Sequence, residues 1–198
     1  MRCTAMVAMT VLAGIGSNLA EGRSAPTRSI AVCYEGNITG MTAALMTTSR
    51  LFRGIGITLS SAKPGSCPVD GIHVSLSRNT PATFQPGALA YALPFEGAHI
   101  RIFLDRCEKY NQSLVPHLLG YVIAHEITHI IQGTDHHSEN GVMKAHWDGV
   151  DFNRIQWDEL RFDECDVSLI RLGVGKRARV ARPPASAAAP PAVVTAPR

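Results

Sequence analysis

The stretch YVIAHEITHIIQGTDHHSENGVM, residues 121–143, holds four of the chain's eight histidines. His125 and His129 are four residues apart, so on a helix they project from one face, a turn from each other. Their neighbours Val122, Ile123, Ile127, Ile130 and Ile131 are too apolar for a solvated helix. Imidazoles and a carboxylate carried into such surroundings need partners or a metal ion. Two histidines in this register can share one zinc ion, with Glu126 reaching a water on that ion rather than the ion itself. A catalytic zinc takes three protein ligands and keeps one position open. Gly133 ends the helical pattern, and the third ligand is expected beyond it, where His136 and His137 stand side by side.

Upstream, the helix extends back to Ser113, which can cap its N-terminus. Pro116 is tolerated in the first turn, where its missing N–H has no intrahelical partner. Ser29–Tyr34, Ile55–Leu59, Ile72–Leu76, Gly87–Leu93 and His99–Leu104 read as strands, bounded by Gly/Pro turns. Thr42–Phe52 carries apolar residues at helical spacings, and a last helix is expected over Asp163–Leu172. The order strand, helix, four strands, helix, loop, helix predicts an α/β domain over residues 29–173, without internal repeat or break.

The totals agree with one domain plus tails. The chain has 198 residues, 45% apolar and 18% charged, an ordinary globular balance. All sixteen acidic residues precede Arg171, so the domain is mildly acidic and implies no nucleic-acid partner. Residues 1–20 read as an export signal: Met1-Arg2, an uncharged apolar run from Cys3 to Ile15, and a cleavage point after Asn18-Leu19-Ala20. That run is shorter than the roughly 20 residues a membrane span needs, so a secreted or extracytoplasmic protein is expected. Cys33, Cys67, Cys107 and Cys165 then permit two disulfides in any of three connectivities. Asn37 and Asn111 fit the glycosylation pattern. Residues 177–198, RARVARPPASAAAPPAVVTAPR, are expected to be a disordered Pro/Ala-rich tail.

HEITH, a glycine turn, a histidine followed by serine, and Gly141-Val142-Met143 together resemble the metzincin zinc peptidases, matrixins in particular. The likeness extends loosely over residues 29–173. DGIHVSLS (70–77) resembles the third matrixin strand, ALAYALP (88–94) the edge strand on which substrate lies, and HIRIFLD (99–105) the strand after it. RFDECDVSLIRLG (161–173) is similar to the C-terminal helix. The resemblance implies a zincin-like fold: a twisted mixed sheet, an active-site helix and a small C-terminal subdomain. It implies a secreted endopeptidase with one catalytic zinc ion and Glu126 as general base. Met143 would lie beneath the metal, and Leu89, Ala90, Tyr91 and Ala92 would pair with a peptide or protein substrate.

The match departs from the family at the third ligand. The usual spacing is HxxGxxH, whereas Gly133 comes one residue late. Counting three from Gly133 gives His136; the His137-Ser138 pair and its approach to Met143 give His137. His137 is preferred, with His136 as its solvent-facing neighbour and the open alternative. The structural-zinc histidines, calcium loops and cysteine-switch segment of matrixins have no counterpart, and Ala145 stands where some metzincins carry a tyrosine ligand. Two other readings remain: a His-His-Glu peptidase using Glu159 or Glu164, and a zinc-holding binding protein that does not cut. His73, His99, His117 and His146 read as surface or packing residues.

Overall fold

The computed structural model describes residues 28–35, 40–62, 65–92 and 97–180. The expected signal, Asn37, Leu93, Pro94 and the tail beyond Val180 lie outside them. Five strands, β1 (Arg28–Tyr34), β2 (Ile57–Ala62), β3 (Ile72–Ser77), β4 (Ala90–Ala92) and β5 (His99–Phe103), form one sheet in the order β2-β1-β3-β5-β4. The first three and β5 are parallel, and β4 runs antiparallel to β5 at the edge. The helices are α1 (Met41–Gly54), α2 (Leu104–Cys107), α3 (Val115–Gln132), α4 (Gly149–Gln156) and α5 (Glu164–Val180).

Alternation within the strands makes the sheet one-sided. Ile30, Val32, Ile72, Val74, Ile100 and Ile102 are buried in one core with residues of α1 and α3. Between them, Ser29, His99 and Arg101 are exposed and His73 and Ser75 half-buried, with the His73 and His99 rings stacked 4.9 Å apart across paired positions. Cys33 and Cys67 form a disulfide that joins β1 to the loop before β3.

The long helix is held by two close backbone approaches, each at a glycine. A Cβ at Gly120 would lie 2.7 Å from the Ala44 carbonyl of α1, and one at Gly173 would lie 2.0 Å from the Ile131 carbonyl. The Thr48 hydroxyl sits 2.9 Å from both the Ala44 and Gly120 carbonyls, tying α1 to α3.

Several boundaries differ from the sequence reading. The strand expected over Gly87–Leu93 is reduced to Ala90–Ala92, because Gly87 has φ +91° and Ala88 N–H closes a turn on Gln85. Ser113 does not cap α3; its N–H and hydroxyl both turn back to Asn111 Oδ1 at 3.0 Å, and the helix starts two residues later. α4 occupies what reads as loop, started by Asp148, whose carboxylate accepts from Val150 and Asp151 in a capping box. α5 does not stop at Gly173 but runs to Val180, four residues into the segment expected to be tail, where Arg177 reaches the Asp70 carbonyl. Gly173 is a packing residue, not a terminator. Two disulfides were allowed; among the described residues Cys33–Cys67 forms, while Cys107 is a buried free thiol.

The two glycines of α5 separate these roles. Gly173→Ala should cost about 1–3 kcal/mol by overpacking against α3. Gly175, with nothing within 4 Å of its added Cβ, should gain up to about 1 kcal/mol as alanine through helix propensity. Urea unfolding of the two variants checks the opposite signs.

Candidate metal centre

α3 carries His125, Glu126 and His129 inward because its surroundings are apolar on nearly every side. The rings are then aimed by main-chain carbonyls. His125 Nδ1 lies 2.8 Å from the Val142 carbonyl and His129 Nδ1 lies 2.9 Å from the Thr134 carbonyl. A carbonyl only accepts, so each Nδ1 carries the proton and each Nε2 is left with a bare lone pair. Those two Nε2 atoms face each other at 3.0 Å. Two acceptors at that distance repel unless a cation lies beside both.

His137 joins them. Its ring centroid lies 5.2 Å from that of His125 and 4.8 Å from that of His129. One ring nitrogen from each of the three falls within 4.8 Å of the others, and no further His, Cys, Asp or Glu among the described residues joins the group. His136 is exposed and outside it. Glu159 and Glu164 are exposed too, on neither the group nor the cleft wall.

The loop bearing His137 is fastened at both sides. Gly133, with φ +66°, ends α3 in the left-handed conformation and brings the Thr134 carbonyl over His129. Ser138 N–H donates to the Met143 carbonyl at 2.9 Å, and its hydroxyl to buried Asp166 Oδ1 at 2.7 Å. Gly141, with φ +78°, makes the next turn, where a Cβ would lie 2.4 Å from the Arg161 carbonyl. Val142 N–H donates to that same carbonyl at 2.9 Å, which sets the Val142 oxygen against His125. Met143 is fully buried behind this turn.

Electrostatics favour neutral ligands. Burial pushes the His125 pKa down to about 3, helped by His129, and that of His129 down to about 4. Burial, then His136, lowers His137 as well. Burial raises the Glu126 carboxyl to about 8. Without metal, Glu126 therefore contributes stability that is fully present below about pH 4.5 and lost as pH rises through about 8. The histidines act oppositely, losing stability as pH falls through about 6.5, so above pH 7 Glu126 is the larger contribution. Chelator-treated protein should lose about 1 kcal/mol between pH 7 and pH 8, and chelator-treated Glu126→Gln should lose none. Chemical denaturation at the two pH values measures this.

A cleft of about 510 Å³ opens above the centre and is lined by His125, Glu126, His129 and His137. One wall is the segment Gln85–Ala92, which includes Leu89, Ala90, Tyr91 and Ala92. Among the described residues β4 has a neighbour on one side alone, so none of them pairs with its outer edge. The other wall was not found by sequence reasoning. It comprises Tyr110 and Phe152, whose rings lie 5.0 Å apart, and Trp147, which stands edge-on to His125 at 5.9 Å. Trp147 Nε1 donates to the Gly141 carbonyl at 3.3 Å, and Lys144 Nζ is held at 2.6 Å by both Asp148 and Asp151. Aromatic residues scattered over 110, 147 and 152 give no local pattern; the capping box at Asp148 was the available signal. His146, read as a surface or packing residue, also lines this cleft.

A mixed α/β fold with a five-stranded sheet and an antiparallel edge strand is thus the class that these elements define. Its likeness among solved structures includes archaemetzincin from Methanopyrus kandleri, at a TM-score of 0.53 and 13% identity, over 77% of this chain and 99% of that one. At that identity the likeness is one of fold. No family model and no curated sequence matches the chain.

Proposed function

We propose that the chain is a secreted zinc-dependent endopeptidase of metzincin type, with a matrixin-like exit from its metal-binding helix. The carrying observation is the pair of bare Nε2 lone pairs at 3.0 Å, with a third imidazole nitrogen within 4.8 Å. His125, His129 and His137 are the ligands of one ion in this reading. Three imidazoles suit zinc, and a three-ligand set leaves a position open for water. The name archaemetzincin on a neighbour of the same fold agrees with the family that the motif resembles. Zinc, when bound, supplies a Lewis acid and a water acidic enough to lose its proton at neutral pH.

The chain's own residues do the rest. Glu126, buried beside the ligands, takes the proton from the attacking water and returns it to the leaving amine. A cation nearby would bring its carboxyl below the metal-free value, making it a base at neutral pH. The edge of β4, unpaired among the described residues, offers main-chain groups on which an extended peptide can lie as an added strand, Leu89 to Ala92 being the contact segment. Val142 and Thr134 keep the ligand rings in one tautomer and orientation. Met143 gives the site an apolar floor. A non-cutting binder would have no use for a carboxyl in the position of Glu126, and a His-His-Glu set would need Glu159 or Glu164 at the ligand group.

Export is supported by residues 1–20 and by the Cys33–Cys67 bridge, which suits an oxidising compartment. N-terminal sequencing of the exported chain should begin at Glu21. Purified protein should carry one zinc per chain by elemental mass spectrometry and cleave a mixed peptide library until chelator is added. His137→Ala should lose the metal, whereas His136→Ala keeps it. Glu126→Gln should keep the metal and lose at least about 100-fold in kcat. A metal-free protein, or undiminished cleavage by Glu126→Gln, would overturn the reading.

A further inference from the structure

Peptide hydrolysis, as proposed above, creates a charge for which the chain has no assigned donor. Water adds to the scissile carbon, a C–O bond forms, the carbonyl electron pair moves to oxygen, and the water proton passes to Glu126. The C–N bond then breaks, the carbonyl re-forms, and that proton goes to the leaving nitrogen. Between the two steps the former carbonyl oxygen is an anion, and an N–H donated to it lowers both barriers.

Two of the side-chain donors along the cleft are committed elsewhere. Lys144 is held between Asp148 and Asp151, and the Trp147 indole N–H is given to Gly141. Tyr91 is stacked on Phe84 at 4.8 Å and Tyr110 is packed on Phe152 at 5.0 Å, which holds both rings in the aromatic walls and leaves their hydroxyls without a side-chain partner among the described residues. His146 differs. It lines the cleft and makes no hydrogen bond among the described residues. It shares that cleft with His137. The anchored residues Lys144 and Trp147 bracket it in sequence, which restricts where the loop can carry it. It is not part of the three-histidine group, so a role as fourth ligand is disfavoured.

We propose that His146 is a further catalytic residue, donating a hydrogen bond to the oxyanion of the tetrahedral intermediate. A neutral imidazole keeps one N–H and a protonated one has two, so the role does not depend on charge state.

The test compares zinc-loaded wild type, His146→Ala and His146→Gln as full chains. Zinc content and kcat and KM on a peptide the wild type cleaves are measured first. Calorimetry then measures binding of the same peptide with a phosphinate replacing the scissile amide. Binding of the unmodified peptide is measured in a Glu126→Gln background, with and without His146→Ala. Expected for His146→Ala is unchanged zinc, kcat lower by roughly 100-fold or more, KM and unmodified-peptide affinity within about two-fold, and phosphinate affinity reduced along with kcat. His146→Gln, which retains an N–H donor, should recover part of the loss. Unchanged kcat and phosphinate affinity, or loss of zinc from His146→Ala, overturns the proposal while leaving the peptidase reading intact. A wild type that holds no zinc or cleaves nothing overturns that reading instead.

Discussion

Two main-chain carbonyls, those of Val142 and Thr134, govern the centre. By accepting the Nδ1 protons of His125 and His129 they turn two Nε2 lone pairs toward one point. Helical spacing alone puts the rings on one face; it does not decide which nitrogen points where. The carbonyls are themselves placed by left-handed turns at Gly133 and Gly141 and by the anchor of Val142 on Arg161. Residues up to 36 positions apart in sequence thus share the task of aiming two side chains.

The scaffold behind them is rigid for a similar reason. α3 meets α1 at Gly120 and α5 at Gly173 with backbone nearly touching backbone, an arrangement that leaves little room to slide. On its third side α3 shares the core of the sheet through Val74, Ile100 and Ile102. The cleft lies where that packing ends, between the helix and the short edge strand. Below it is a close-packed interior, and above it are loops that can differ without disturbing the core.

Much of this was legible in the sequence, and the failures have physical causes. The histidine pair, the core helix and four strands follow from periodicity, because one-sided burial writes alternation into β3 and β5 and a broad apolar surface onto α3. β4 was overextended because small apolar residues in GALAYAL look alike whether or not they pair; the ladder ends where Gly87 turns. α4 was invisible because only Asp151 and Ile155 of its eight residues are buried. The helix expected over Asp163–Leu172 runs on to Val180 because Gly173 serves a close approach to Ile131, and a glycine in that role is the same letter as one that ends a helix. The gathering of His137 with the α3 pair rests on Ser138 reaching Asp166, 28 residues away, a contact that no local pattern encodes.

Trp147 has a consequence of its own. The chain has two tryptophans; Trp157 is exposed to solvent, while the indole of Trp147 stands against the His125 ring. Indole emission responds to the charge and polarisation of whatever its ring touches. Light from Trp147 therefore reports the electronic state of His125, while Trp157 supplies a background set by water. The molecule carries a built-in optical gauge of its own centre, readable without a label.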